Sequence, residues 1–181
     1  VAGEVVGVDA SEPMLAQARV HCAYSPNVRF VRADFRTLEL PDRFDAAVCP
    51  ANSLNYVASV GELAEVFAGV AACLKPGGLF AFDTTTDRGM RWRSGFYLHA
   101  RAGGRRFALH FEYDPARRAQ RAKVIFPEGV ETHARIALDP ADVRLAARGT
   151  PLAVVACFAQ PLLPWRLAPG GACYFVLKRE R

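Results

Sequence analysis

No apolar run in the chain reaches the ~18 residues that a membrane-spanning helix needs. The residues present show no basic, apolar, small-residue leader pattern either. Cysteine is sparse: Cys22, Cys49, Cys73, Cys157 and Cys173 stand far apart, and none forms a C-x-x-C pair. Such spacing argues against a disulfide framework and against a zinc site. It predicts packing roles in a reducing cytoplasm and no metal. There is no internal repeat and no low-complexity tract. Acids are scarce in one place only. Residues 88–123 hold ten Arg or Lys against Glu112 and Asp114, so this stretch is +8 in a chain of +5. That asymmetry fits an anionic partner, and it equally fits an Arg-rich solvated face.

What is present suits a core. With 51% hydrophobic and 23% charged residues in a length of 181, the composition is that of one globular domain, predicted over 1–181. The organising stretch is residues 4–14, EVVGVDASEPM. Val5, Val6 and Val8 suit a buried strand, and Asp9 stops the apolar run at its carboxyl end. Ser11 is a good N-cap, with Glu12 and Pro13 in a first helical turn. In a doubly wound α/β sheet, ligands bind beyond the carboxyl ends of the strands, and an acid there commonly accepts from ribose hydroxyls. Asp9 is therefore a candidate ribose clamp.

The helix over 12–23 places Met14, Leu15, Ala18 and Cys22 on one face, and Pro26 breaks it. A second strand over 27–31 ends at Arg32-Ala33-Asp34-Phe35, again an acid beyond a strand end. The link from Phe35 to Phe44 is too short for a crossover helix, so one helical turn or a loop must serve. A third strand over 44–49 follows the turn residues Pro41 and Asp42. Next comes Pro50-Ala51-Asn52-Ser53-Leu54-Asn55-Tyr56, polar and aromatic. Ser59 and Glu62 form a capping box. The helix behind it carries the stripe Leu63, Val66, Phe67, Val70, Leu74. Lys75-Pro76-Gly77-Gly78 is expected to close it with a glycine C-cap, before a fourth strand over 79–83. Residues 84–106 are polar, Arg-rich and aromatic, with Trp92, Phe96 and Tyr97. Three antiparallel strands are predicted over 106–113, 120–126 and 130–138, in an insert spanning about 88–138. A short helix opens at Asp139 and Pro140 and ends at Gly149. Strands over 152–159 and 172–178 flank a proline loop over 160–169, with Gly170-Gly171 leading into the last. The fold class expected is α/β: Rossmann-like, doubly wound, mostly parallel, with a final antiparallel strand and a small antiparallel insert.

VVGVDAS with Met14, RADF, FDAAVCPANSLNY, the LKPGG turn before LFAFD and the closing helix, strand and hairpin together resemble the class I S-adenosylmethionine-dependent methyltransferases, especially small-molecule members. The resemblance covers nearly the whole chain. It implies S-adenosyl-L-methionine as methyl donor. Asp9 would hold its ribose, with Ala10 and Met14 bordering adenine and ribose. The segment from Ala33 would bring Asp34 to the adenine amino group and the Phe35 N–H to a ring nitrogen. Cys49, Pro50 and Ala51 would pass the methionine part. Asn52 and Tyr56 would face the methyl-transfer region, and with His110 they are the catalytic candidates. His21 is expected on a helix surface, and His99, His110 and His133 in the insert. A base is needed only if the acceptor must lose a proton, so no residue is diagnostic.

The family's first strand and glycine-rich G-x-G-x-G turn belong about twenty residues before Asp9, and only eight residues stand there. Gly3 and Gly7 do not supply the turn. The expectation is a truncated piece whose two parallel halves lack a shared neighbour strand, or halves that pair directly. The acceptor expected is a small molecule, which the basic stretch allows to be anionic. Alternatives are a methyltransferase of RNA or another polyanion, a nicotinamide-dependent Rossmann domain, and a non-catalytic cofactor-binding remnant.

Overall fold

The computed structural model describes residues 3–41, 43–159 and 171–180. The predicted turn residue Asp42, the proline loop over 160–169 and Gly170 lie outside the described residues.

Strands β1 (Val5–Asp9) and β2 (Val28–Arg32) pair in parallel, from Val5 opposite Val28 to Asp9 opposite Arg32. Between them runs α1 (Glu12–His21), N-capped by Ser11, which accepts from the Met14 N–H. Of the predicted stripe, α1 buries Leu15 alone, and Met14 is 59% exposed. The reason is the floor: α1 packs on β1 and β2, a two-stranded sheet too narrow to cover a second row of side chains. After β2 a single 3₁₀ turn (Phe35–Thr37) serves the short link to β3 (Phe44–Cys49).

Helix α2 (Val60–Cys73) starts at Ser59, whose hydroxyl accepts from the Glu62 N–H at 3.1 Å. Leu63, Val66, Phe67 and Val70 are all buried, as the spacing requires. The expected glycine C-cap does not form. The helix passes at Leu74 (φ −95°, ψ 151°) directly into β4 (Leu74–Thr85). Lys75-Pro76-Gly77-Gly78 is absorbed as a bulge instead: the register with β3 jumps between Phe44–Leu74 and Ala46–Leu79. Gly77 takes φ +80° there. A side chain on Gly78 would press on the Lys75 and Asp45 carbonyls.

Beyond β4 come α3 (Asp87–Arg93), β5 (Tyr97–Ala102), β6 (Arg105–Asp114), β7 (Ala119–Phe126), β8 (Gly129–Ile136), α4 (Pro140–Ala147), β9 (Leu152–Ala159) and β10 (Ala172–Arg179). The insert therefore has four strands, not three, in an antiparallel meander β5-β6-β7-β8. Strand β5 escapes sequence reading because it is exposed along most of its length and shows no alternation. Its hairpin signal was present: Gly103 and Gly104 form the β5–β6 turn, both with positive φ.

The main sheet runs β3-β4-β10-β9, with β10 antiparallel to both neighbours. Helices α2 and α4 pack on it, around Phe67, Phe80, Phe82 and Phe175. Ring pairs at 4.8–6.1 Å fill this centre. Burying each such ring contributes about 1.5–3 kcal/mol. Strand β1 pairs with β2 only and β3 with β4 only among the described strands. The mostly parallel sheet of the sequence reading is thus divided in two, and the halves do not pair directly.

Candidate functional site

Two carboxylates stand at the tips of β1 and β2. The Ala33 N–H donates to the Asp9 carbonyl at 3.2 Å, extending the ladder by one bond and fixing the tips side by side. Asp9 Oδ1 accepts from the Ser11 N–H at 2.8 Å, and Oδ2 has no protein donor among the described residues. An open carboxylate oxygen above a helix start suits a vicinal diol. The Ala10 carbonyl accepts from Arg32 Nε at 3.2 Å. Met14 is close in sequence and exposed, so it is available to a ligand rather than spent on packing.

Asp34 is engaged already. Its side chain caps the 3₁₀ turn by accepting from the Arg36 N–H at 2.9 Å, and it holds the Arg36 guanidinium at 2.6–3.1 Å. The hydrogen bond from Arg36 keeps the Asp34 carboxyl below its ordinary range. Sequence reading missed Arg36, although it lies only two residues on. The Phe35 side chain packs against the main core.

The turn after β3 is the second part of the site. Ala51 (φ 65°) and Asn52 (φ 58°) are both left-handed, a conformation that costs non-glycine residues and often accompanies function. The turn is held from β4: the Asn52 N–H donates to the Asp83 carboxylate at 3.2 Å, and Thr85 Oγ1 donates to Asn52 Oδ1 at 2.9 Å. Ser53 Oγ donates to the Pro50 carbonyl at 2.9 Å. Cys49 is half-buried, and burial pushes its thiol up to about 11, so it is no nucleophile at neutral pH.

Asn55 is fully buried and Tyr56 exposed. The Tyr56 hydroxyl lies 3.2 Å from His133 Nδ1, with the rings edge to face. This joins the turn to β8. His110 is not brought to this place. It packs against Tyr97 and lies 3.6 Å from Glu112. Facing pairs place His133, Ala122 and Phe111 on one side of the insert sheet. His110, next to Phe111, is on the other. The structure thus pairs Tyr56 with His133, ties Asn52 to β4 through Asp83 and Thr85, and leaves His110 apart.

The basic stretch is partly neutralised. Arg91 pairs with Asp87, Arg105 with Glu128, Arg117 with Asp114, Arg118 with Asp139 and Asp142, and Lys123 with Glu112. Half of its ten cations are therefore committed to internal ion pairs. No cluster of three or more His, Cys, Asp or Glu among the described residues could hold a metal. No helix there is long and apolar enough to cross a membrane.

Residues 1–78 match a family described as a methyltransferase domain. A protein of Bacillus subtilis named "Putative methyltransferase YqeM" is 38% identical over 81 residues, 44% of this chain and 33% of its own length. The chain thus spans about a third of that curated relative. Among solved structures, an S-adenosylmethionine-dependent methyltransferase from Clostridium acetobutylicum superposes with TM-score 0.80 at 17% identity, covering 98% of this chain and 76% of its own. S-adenosylmethionine-bound CalS10, an amino pentose methyltransferase from Micromonospora echinaspora, gives 0.66 at 23%, covering 97% and 74%. Residues 1–78 match a methyltransferase-domain family, and the chain shares the fold of solved S-adenosylmethionine-dependent methyltransferases.

Proposed function

We propose that this chain carries the cofactor cleft of an S-adenosylmethionine-dependent methyltransferase acting on a small molecule. The observation that carries the reading is the bond from the Ala33 N–H to the Asp9 carbonyl, which sets the Asp9 and Asp34 tips side by side. Both tips lie within the matched 1–78 segment. Asp9 holds the ribose diol through its open oxygen. Asp34, gripped by Arg36, orders the turn that presents Phe35 to the adenine. The strained turn from Cys49 to Asn52 borders the methionine part, and Tyr56 faces the acceptor.

The sulfonium of the bound cofactor supplies the leaving group. What remains for the protein is to align the acceptor and exclude water. Where an acceptor proton must leave, Tyr56 and His133 form the hydrogen-bonded pair nearest that task. A small acceptor agrees with the amino pentose named for CalS10. It also agrees with the neutralisation of half the basic stretch, which leaves less charge for a polyanion.

Calorimetry with S-adenosylhomocysteine tests the reading. Binding is expected, and Asp9→Ala weakens it by about 1–3 kcal/mol through loss of charge-assisted bonds. Asp9→Asn keeps an acceptor for the Ser11 N–H and loses the charge, so its effect falls between. An unchanged affinity in both variants overturns the assignment.

A further inference from the structure

The insert sheet carries a half-buried arginine with no carboxylate partner among the described residues. Arg135 on β8 faces Gln120 on β7. One terminal guanidinium nitrogen donates to Gln120 Oε1 at 2.5 Å. That uses the acceptor of Gln120 and leaves its amide Nε2 without a partner, in a side chain only 2% exposed. Arg135 Nε is likewise buried and unpartnered. Neither Arg135 nor Arg93 of α3 is ion-paired with a carboxylate among the described residues. Burial lowers the Arg135 pKa, and the like charge of Arg93 adds to this, while Tyr56 opposes it. An arginine stays protonated nonetheless, so its charge must be met by something.

The place is defined by bonds. The Asn55 amide donates to the carbonyl of Ile136, next to Arg135. Tyr56 meets His133, which shares the inner face of β8 with Arg135 two residues away. On the same face, Ala122 and Phe111 lie across from His133 and are buried. A cationic donor, an idle amide and an apolar wall therefore share one face of the insert sheet, beside the turn that ends in Tyr56.

We propose that Arg135, with Gln120, binds the oxyanion group, carboxylate or phosphate, of an anionic methyl acceptor whose apolar body lies toward Phe111. The word "acceptor" rests on the methyltransferase reading; the anion site does not. A guanidinium beside a carboxamide offers planar donors suited to an oxyanion. The anion would supply the missing counter-charge and the acceptor for Gln120 Nε2.

Thermal unfolding of the 181-residue chain with benzoate, phenyl phosphate and uncharged benzamide tests this. At ten times its dissociation constant, a bound anion raises Tm by about 3–5 °C; benzamide leaves Tm unchanged. A response to benzoate alone assigns a carboxylate, and to phenyl phosphate alone a phosphate. Arg135→Met removes the response; its anion-free Tm combines relief of a half-buried charge with loss of the bond to Gln120 Oε1, so each variant is compared with its own anion-free sample. Equal shifts with benzamide, no shift with either anion, or a full shift in Arg135→Met overturns the site. S-adenosylhomocysteine calorimetry on the same samples separates the two readings. Anion binding without cofactor binding overturns the methyltransferase reading alone, and the converse overturns the anion site alone.

Discussion

Asn55 satisfies both backbone groups of Thr85: its Nδ2 donates to the Thr85 carbonyl at 2.9 Å and its Oδ1 accepts from the Thr85 N–H at 2.8 Å. The same amide donates to the Ile136 carbonyl at 2.7 Å. One side chain thereby ties the turn after β3, the end of β4 and the end of β8. Asn55→Ala leaves the Thr85 N–H and the Ile136 carbonyl without this partner, while the Thr85 carbonyl keeps the Leu138 N–H, and is expected to cost about 2–4 kcal/mol. Urea unfolding measures this, and a loss under about 1 kcal/mol would show that water replaces the amide.

Gly89 sits in the first turn of α3 against the Gly171 backbone. A methyl group there would enter the van der Waals envelope of the Gly171 carbonyl. Helix propensity alone would favour alanine by about 1 kcal/mol. The collision is with backbone and cannot swing aside, so Gly89→Ala is expected to destabilise by about 1–3 kcal/mol. A variant as stable as the parent, by the same urea midpoint, would show that β10 can retreat from α3.

Arg118 binds Asp142 and Asp139 at 2.7 Å, and the Asp139 N–H donates to Asp142 at 2.8 Å. Burial pushes the Asp142 carboxyl up, but the Arg118 hydrogen bond, the Asp139 N–H and the Arg118 charge together bring it below its ordinary range. Asp87 is lowered too, chiefly by its hydrogen bond from Arg91. Carboxyls lowered on folding add stability that is whole above the unfolded value of ~4 and is lost as pH falls through the folded value. Tm is therefore expected to be level from pH 7 to 5 and to fall below pH ~4. Asp142→Asn should melt lower at pH 7 and show a shallower acid decline; an identical slope would remove Asp142 from the account.

Much of this was legible in the sequence for physical reasons. The limits of β3 and β9 and the stripe from Leu63 to Val70 follow from local apolar spacing, and the stripe is buried as read; β1, expected as a buried strand, instead leaves Val5 40% exposed and Val6 and Val8 half-buried, because β2 is its one strand neighbour among the described residues. The KPGG segment misled because its composition suits a helix stop, whereas a strand bulge also accommodates glycines at positive φ. Strand β5 buries almost nothing and leaves no pattern. At the site, Asp9 stood out as an acid ending an apolar run. Arg36 was close enough to notice. The partners of Tyr56 and Gln120 were not: His133 is 77 residues from Tyr56, and Arg135 meets Gln120 only through the β7–β8 register.

Four consecutive residues near the end of β4 each hold a different neighbour. Asp83 takes the Asn52 N–H, Thr84 Oγ1 donates to the Leu138 carbonyl, Thr85 meets Asn55, and Thr86 Oγ1 accepts from the Gly89 N–H. A slip of one residue would turn every one of these side chains to the opposite face. The loop, the insert, and the start of α3 consequently share one datum line. None of these four bonds reaches β5, β6 or β7, so a change of shape in those strands leaves the dimensions of the floor as they are.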